Sequence, residues 1–478
     1  MFKVELRNPE AFKSYPADNL AGASTFSDAY CLSQFAAATC TQPSKEKALK
    51  IAKHIDVKKA LFDTGHHTTL QHSDHYLTFH IDNIPVSLVT FGLHLTHPFS
   101  NTSQCSGRYC TSMFETDDNS EIISYMRCFI IMNGSNVIFN NEKQKAVIDW
   151  VLKGIKFYKD NIERAKELVR EAMLNERCHY PGDLDLQCRR IAQEQLRCVL
   201  STIFPTRLVY TINITTLFSM YAVAWNTPMR SLLKQMIDSV PGDDIAKFAA
   251  SISPSMNSYT PEFEQNVNHA EASIVSEPFV DVHFESMGGL APRKLYDLYK
   301  SDSNNRVLDT LQFDPNVNPI STADSIIRVD VEVPVSTFGQ DQRHRTIKRS
   351  NPIVTGSFYV PPIITKIEGA EDFCKQYMSE YLELCGDIST SDMIHFIPYG
   401  ATVAYTKEAD VRAYLHSANK RLCWSAEPTI AKMERETINQ LLEDGLEEID
   451  APCLNDKCHE GKRYCGRPLK ERTERELI

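Results

Sequence analysis

Between residues 142 and 173, apolar positions recur at alternating steps of three and four: Ile148, Val151, Ile155, Tyr158, Ile162, Ala165, Val169 and Ala172. That spacing draws one stripe along a long amphipathic helix. Pro181-Gly182-Asp183 breaks it, and a second helix is predicted over 184–200. A period of two governs Tyr76-Leu77-Thr78-Phe79-His80-Ile81, which ends before Pro85 and reads as a half-buried strand. The same pattern returns from Ile326 to Val333 and again closes on a proline, Pro334. Helical patterns follow over 370–385 and 429–449. The intervening stretch 251–276 is rich in Ser, Asn, Pro and Glu without a sustained period, and is expected to be a linker. Strand, proline, motif loop and helices therefore occur twice in the same order. This predicts a diverged internal duplication, with halves at 1–270 and 271–478.

Composition narrows the function classes. The chain has 478 residues, 24% charged and 42% hydrophobic, which is ordinary for a globular protein. Its net charge of −11 argues against a protein that tracks nucleic-acid phosphates. No run reaches the roughly 18 apolar residues of a membrane span. Residues 1–6 (Met-Phe-Lys-Val-Glu-Leu) lack the apolar core of a secretory signal, so a cytoplasmic location is expected. Fourteen cysteines in such a chain are expected to be reduced thiols. Cys453, Cys458 and Cys465, with Cys423 upstream, could form a structural zinc knuckle, with His459 able to replace one ligand. Unligated thiols are the plainer alternative. The 470–476 stretch reads most simply as a solvated helical tail.

Three segments carry candidate chemistry. Gln340-Asp341-Gln342-Arg343-His344-Arg345 places two five-donor guanidinium forks on either side of a histidine, suited to phosphate or carboxylate, although a solvated basic turn fits the same residues. Ser106-Gly107-Arg108-Tyr109 can present a hydroxyl, backbone N–H groups and a guanidinium to one anion, or be a turn with its arginine in solvent. Gly65-His66-His67-Thr68-Thr69-Leu70-Gln71-His72 holds three histidines, but His66 and His72 lack the helical spacing of metal ligands. Donors lining a polar pocket fit better there.

Together these pieces resemble the flavin-dependent thymidylate synthase (ThyX) family, whose signature is an RHR triplet followed after seven residues by SxRY, with a GHxTxxxH segment upstream. Here the signature looks split. The first half keeps Gly65-His66, Thr68, His72 and Ser106-Gly107-Arg108-Tyr109, but reads Thr96-His97-Pro98 at the RHR position. The second half keeps Gln340 and Arg343-His344-Arg345, but its following segment, Ser350-Asn351-Pro352-Ile353-Val354, has lost SxRY. Arg197 and Asn213 match a nucleotide-holding arginine and an asparagine near the flavin. Arg421 matches an arginine facing the pyrimidine, where the first half has Ala224.

The losses are complementary, and in the resembled family the active site lies between subunits of a homotetramer. The resemblance therefore implies an α+β chain of two ThyX-like halves forming a pseudo-dimer, with two chains pairing into a pseudo-tetramer. It implies conversion of dUMP to dTMP with FAD as cofactor and methylenetetrahydrofolate and NADPH as cosubstrates. Gln340, Arg343, Ser106, Gly107, Arg108 and Arg197 would surround the nucleotide. Arg421, with Arg343, would stabilise charge in the reaction. His66, Thr68, Gln71, Asn213, His344 and Arg345 would line the flavin. Gln71 and Gln104 stand where the family has glutamate, which makes a dUMP hydroxymethylase one alternative. A non-catalytic nucleotide- or flavin-binding protein is the other.

Overall fold

The computed structural model describes residues 2–7, 38–39, 42–52, 54, 76–95, 100–105, 112–132, 141–176, 183–224, 227–240, 250, 252, 262–264, 271–286, 325–423 and 426–443. The architecture is α+β. In the first half, strands β1 (Lys3–Leu6), β2 (Tyr76–Pro85), β3 (Ser100–Gln104) and β4 (Pro205–Asn213) form an antiparallel sheet in the order β1-β2-β4-β3. Its helices include α1 (Val86–Thr90), α2 (Ser120–Met132), α3 (Asn141–Glu176), α4 (Leu184–Leu196) and α5 (Ile214–Val223).

A second sheet runs β5 (Glu262–Phe263), β10 (Ile353–Tyr359), β11 (Ala401–Ala409), β8 (Ser325–Pro334) and β7 (Phe279–Ser286). In it β6 (Ser273–Val275) pairs with β10, and β9 (Lys348–Arg349) with β11. Its helices include α6 (Val335–Asp341), α7 (Ala370–Asp387), α8 (Val411–Arg421) and α9 (Pro428–Glu443). Among the described residues, no helix is long and apolar enough to cross a membrane.

The predicted periods hold where elements are long. The α3 stripe is buried from Val147 to Met173, and β8 turns Ile327, Val329, Val331 and Val333 inward at every second position. The expected linker differs. Residues 262–263 and 273–275 are strands parallel to β10, so part of this stretch extends the second sheet. Strands of two and three residues are too short to display a period.

Pro85 and Pro334 occupy matching places. Each ends a ten-residue strand in extended conformation, with φ near −65°, and immediately precedes a short helix. Proline's fixed φ and missing N–H suit that junction. The halves meet through reciprocal backbone bonds: Thr202 N donates to Ile397 O at 2.8 Å, and Tyr399 N to Leu200 O at 2.9 Å. These flank an antiparallel bridge between Ser201 and Pro398. Ser87 N, two residues after Pro85, donates to Thr202 O at 3.0 Å. Ser336 N, two residues after Pro334, donates to Tyr399 O at 3.1 Å.

Helix α3 seals this junction. Trp150 stacks on Tyr377 of α7 with centroids 4.3 Å apart and donates Nε1 to the Tyr377 carbonyl at 3.0 Å. Phe157 stacks on Phe373 at 3.9 Å. Gly154 permits the approach, because a Cβ there would lie 2.3 Å from Val199 O and 2.5 Å from Tyr377 Oη. Gly154→Ala is therefore expected to destabilise the protein by about 1–3 kcal/mol through overpacking. Urea unfolding would show this, and an unchanged midpoint would mean that α3 does not press on the junction.

Candidate functional site

Helix α6 brings the basic triplet to the junction. It ends at Asp341, and the chain continues in tight turns: Arg343 N donates to Gln340 O, His344 N to Asp341 O and Ile347 N to His344 O, at 3.1–3.3 Å. Gln342 reaches across to the first half, donating Nε2 to Thr90 O at 2.9 Å. Arg345 reaches further, with Nη1 on Ser100 Oγ at 2.6 Å and Nη2 on Thr102 Oγ1 at 3.1 Å. Both acceptors lie on β3, which ends at Gln104, two residues before Ser106. Thr102 Oγ1 also bonds His94 Nε2 at 3.0 Å. Burial, reinforced by Arg345 and Arg343, lowers the His94 pKa to about 3, so the imidazole beside the triplet is neutral.

Arg421 arrives from the far end of α8. Asp410 caps that helix by accepting from Ala413 N at 2.9 Å, and Arg421 Nη2 donates to Gln340 O at 2.7 Å. Burial pulls the Arg421 pKa down, while Asp341 and Glu434 oppose that effect and Arg343 adds to it. Arg421 Nε and Gln340 Nε2 are buried donors with no hydrogen-bond partner among the described residues. Arg343 is exposed, and His344 is buried.

Arg197, in the single 3₁₀ turn after α4, stands 5.4 Å from the Tyr399 ring, and its Nε and Nη2 are likewise buried without a partner. Burial raises the Tyr399 pKa to about 12, with Arg197 acting against it. Orphaned guanidinium and amide donors are costly unless something accepts from them. This donor set fits an anionic or carbonyl-bearing ligand. Asn213 caps α5, its Oδ1 accepting from Thr216 N at 2.7 Å.

The structure thus brings Gln340, Arg343 and Arg421 together and lays Arg345 on β3. Arg197 stands at the same junction, against Tyr399. His66, Thr68, Gln71, Ser106, Gly107, Arg108, Cys453, Cys458 and Cys465 lie outside the described residues. Cys423 is a buried thiol just past α8, and no group of three metal-ligating side chains occurs among the described residues. Sequence reasoning missed His94, Ser100, Thr102, Tyr399 and the charges behind the triplet: Asp341, Arg349, Lys407 and Glu434. The one available signal was a lysine at an inward position of the alternating strand 401–409.

The sequence model of one family, described as thymidylate synthase complementing protein, matches residues 24–241. That segment of the chain is similar to this family, known as ThyX. The match spans β2, β3, β4 and Arg197, the side of the junction that receives the triplet. A family of that description suggests a thymidylate synthase-type function. No curated protein matches the chain significantly.

Proposed function

We propose that this chain is a flavin-dependent thymidylate synthase converting dUMP to dTMP with methylenetetrahydrofolate and NADPH, and that its active site is composite. The observation carrying this reading is Arg345 of the second half donating to Ser100 and Thr102, on the strand that runs toward Ser106-Gly107-Arg108-Tyr109. The repeated proline junctions and reciprocal bonds support the view that the halves, 1–270 and 271–478, arose by duplication and pair as a pseudo-dimer. Two such chains would then form a pseudo-tetramer.

The residue roles follow from their chemistry. Arg343, Arg108 and Arg197 bind the nucleotide phosphate and sugar, as planar forks matched to phosphate oxygens. Gln340 offers Nε2 to the same ligand. Arg421, partly desolvated, donates to the uracil edge and stabilises negative charge on the ring as C5 becomes nucleophilic. His66, Thr68, Gln71, Asn213, His344 and Arg345 line the FAD side. Bound FAD supplies hydride chemistry, which the protein orients and shields. A zinc ion held by Cys423, Cys453, Cys458 and Cys465 would be structural.

The test is anaerobic incubation of the purified flavoprotein with dUMP, methylenetetrahydrofolate and NADPH, followed by mass spectrometry of the nucleotide. Thymidylate is expected. Hydroxymethyl-dUMP would replace the methylase by a hydroxymethylase, consistent with Gln104 at the end of β3. Unchanged dUMP in protein without bound flavin would overturn the enzymatic reading.

A further inference from the structure

Behind the triplet is a buried set of charges that contacts no proposed substrate. Arg349 is 8% exposed, and Asp341, Lys407 and Glu434 are fully buried at their side chains. Arg349 donates Nε to Asp341 Oδ2 at 2.6 Å and Nη2 to the Asp341 carbonyl at 2.6 Å. Its Nη1 bonds the carbonyls of His344 at 3.0 Å and Ile347 at 2.7 Å. Four acceptors between residues 341 and 347, the segment containing Arg343-His344-Arg345, thus converge on one guanidinium.

Asp341 is itself fixed. Tyr405 Oη donates to its Oδ2 at 3.0 Å, and Lys407 Nζ faces its Oδ1 at 3.5 Å. Lys407 also faces Glu434 Oε1 at 3.5 Å, which accepts from Ser417 Oγ at 2.6 Å. Ser417 lies on α8, one turn before Arg421. The network therefore joins the turn of Arg343 to the helix of Arg421. Burial alone would raise the Asp341 pKa, but Arg349 and Lys407 hold it well below the ordinary carboxylate range. Two carboxylates and two cations balance, so each buried acid has a cation of its own.

We propose that Arg349, locked by Asp341, is a positioning residue that sets the geometry of the Arg343–Arg345 turn for the anionic ligand of the site. The inference rests on the composite-site reading given above. Lysine cannot replace this arginine, since a compact ammonium cannot span four acceptors that a planar fork reaches at once.

The experiment compares wild type with Arg349→Lys by equilibrium binding of dUMP to the flavoprotein, thermal unfolding, and the rate of tryptic cleavage after Arg343 and Arg345. Arg349→Lys is expected to weaken dUMP binding about tenfold or more, as for one lost charge-assisted bond. Cleavage within the triplet should accelerate relative to other sites, by more than the lowered unfolding midpoint accounts for. Unaltered dUMP affinity, or unaltered cleavage, would overturn the proposal. Failure of wild type to bind dUMP would count against the substrate assignment instead, and the cleavage ratio alone would then decide the clamp. If Arg349→Lys does not fold, Tyr405→Phe removes a single bond to Asp341 and should weaken dUMP binding about threefold. Wild-type affinity in that variant would equally overturn the proposal.

Discussion

Arg343→Ala is expected to lower kcat/KM for thymidylate formation at least ~100-fold while leaving the unfolding midpoint in place. Two features separate the effects. Arg343 is exposed, so its side chain contributes little buried packing, and the turn that presents it is held by backbone bonds and by Arg349. On the proposed reading its loss removes a phosphate fork without opening a cavity. Arg343 also lies within electrostatic reach of Arg421 and His94, so alanine at this position lowers the positive potential of the whole site. Arg108→Ala should match it from the other half. Steady-state kinetics beside urea unfolding would check both. Near-wild-type turnover in either variant would refute a site built from two halves.

Acidification from pH 7 to pH 5 is expected to remove about 4 kcal/mol of stability, about 2 kcal/mol from each of two buried histidines. His94 and His395 both have pKa values lowered from 6.5 to about 3 by burial, with Arg345 and Arg343 adding to the shift at His94. The folded state keeps both rings neutral where the unfolded chain protonates them. Their contribution is therefore complete above pH 6.5 and is lost progressively as pH falls toward 3. Asp341 acts in the same direction but lower, because its depressed pKa supplies stability that is present above the unfolded value of 3.8 and fades only below it. The window between pH 7 and 5 thus isolates the histidines. Urea midpoints measured across it should slope downward in wild type, with roughly half the slope in His94→Gln or His395→Gln. A flat profile would show that water reaches both rings.

The long elements and the basic triplet were legible in the chain itself. A stripe such as that of α3, or the alternation of β8, records which side faces the core, because 3.6 and 2 are fixed geometric periods. The proline junctions at Pro85 and Pro334 were legible because proline acts on its own φ. The contrast between Thr96-His97-Pro98 and Arg343-His344-Arg345 is the sequence basis of the divided site proposed above. The two- and three-residue strands inside 251–276 were invisible, since their pairing is set by β10, 91 and 84 residues away in the chain.

Tertiary structure alone decided what surrounds those arginines. Nothing local to Arg345 indicates that its donors rest on Ser100 and Thr102, or that Arg421 meets Gln340. Nor could the sequence distinguish Arg349, which holds four acceptors in the dark of the fold, from Arg343, which faces solvent. Residue type determines how many donors a side chain carries. Which acceptors they meet, and whether water competes for them, depends on strands and helices brought together from distant parts of the chain, and desolvation sets the strength of each charge there. By itself the sequence determined two of the strands, four of the helices, the recurrence of strand then proline, and the chemistry on offer. The assembled fold decided which cations are buried in ion pairs and which face solvent.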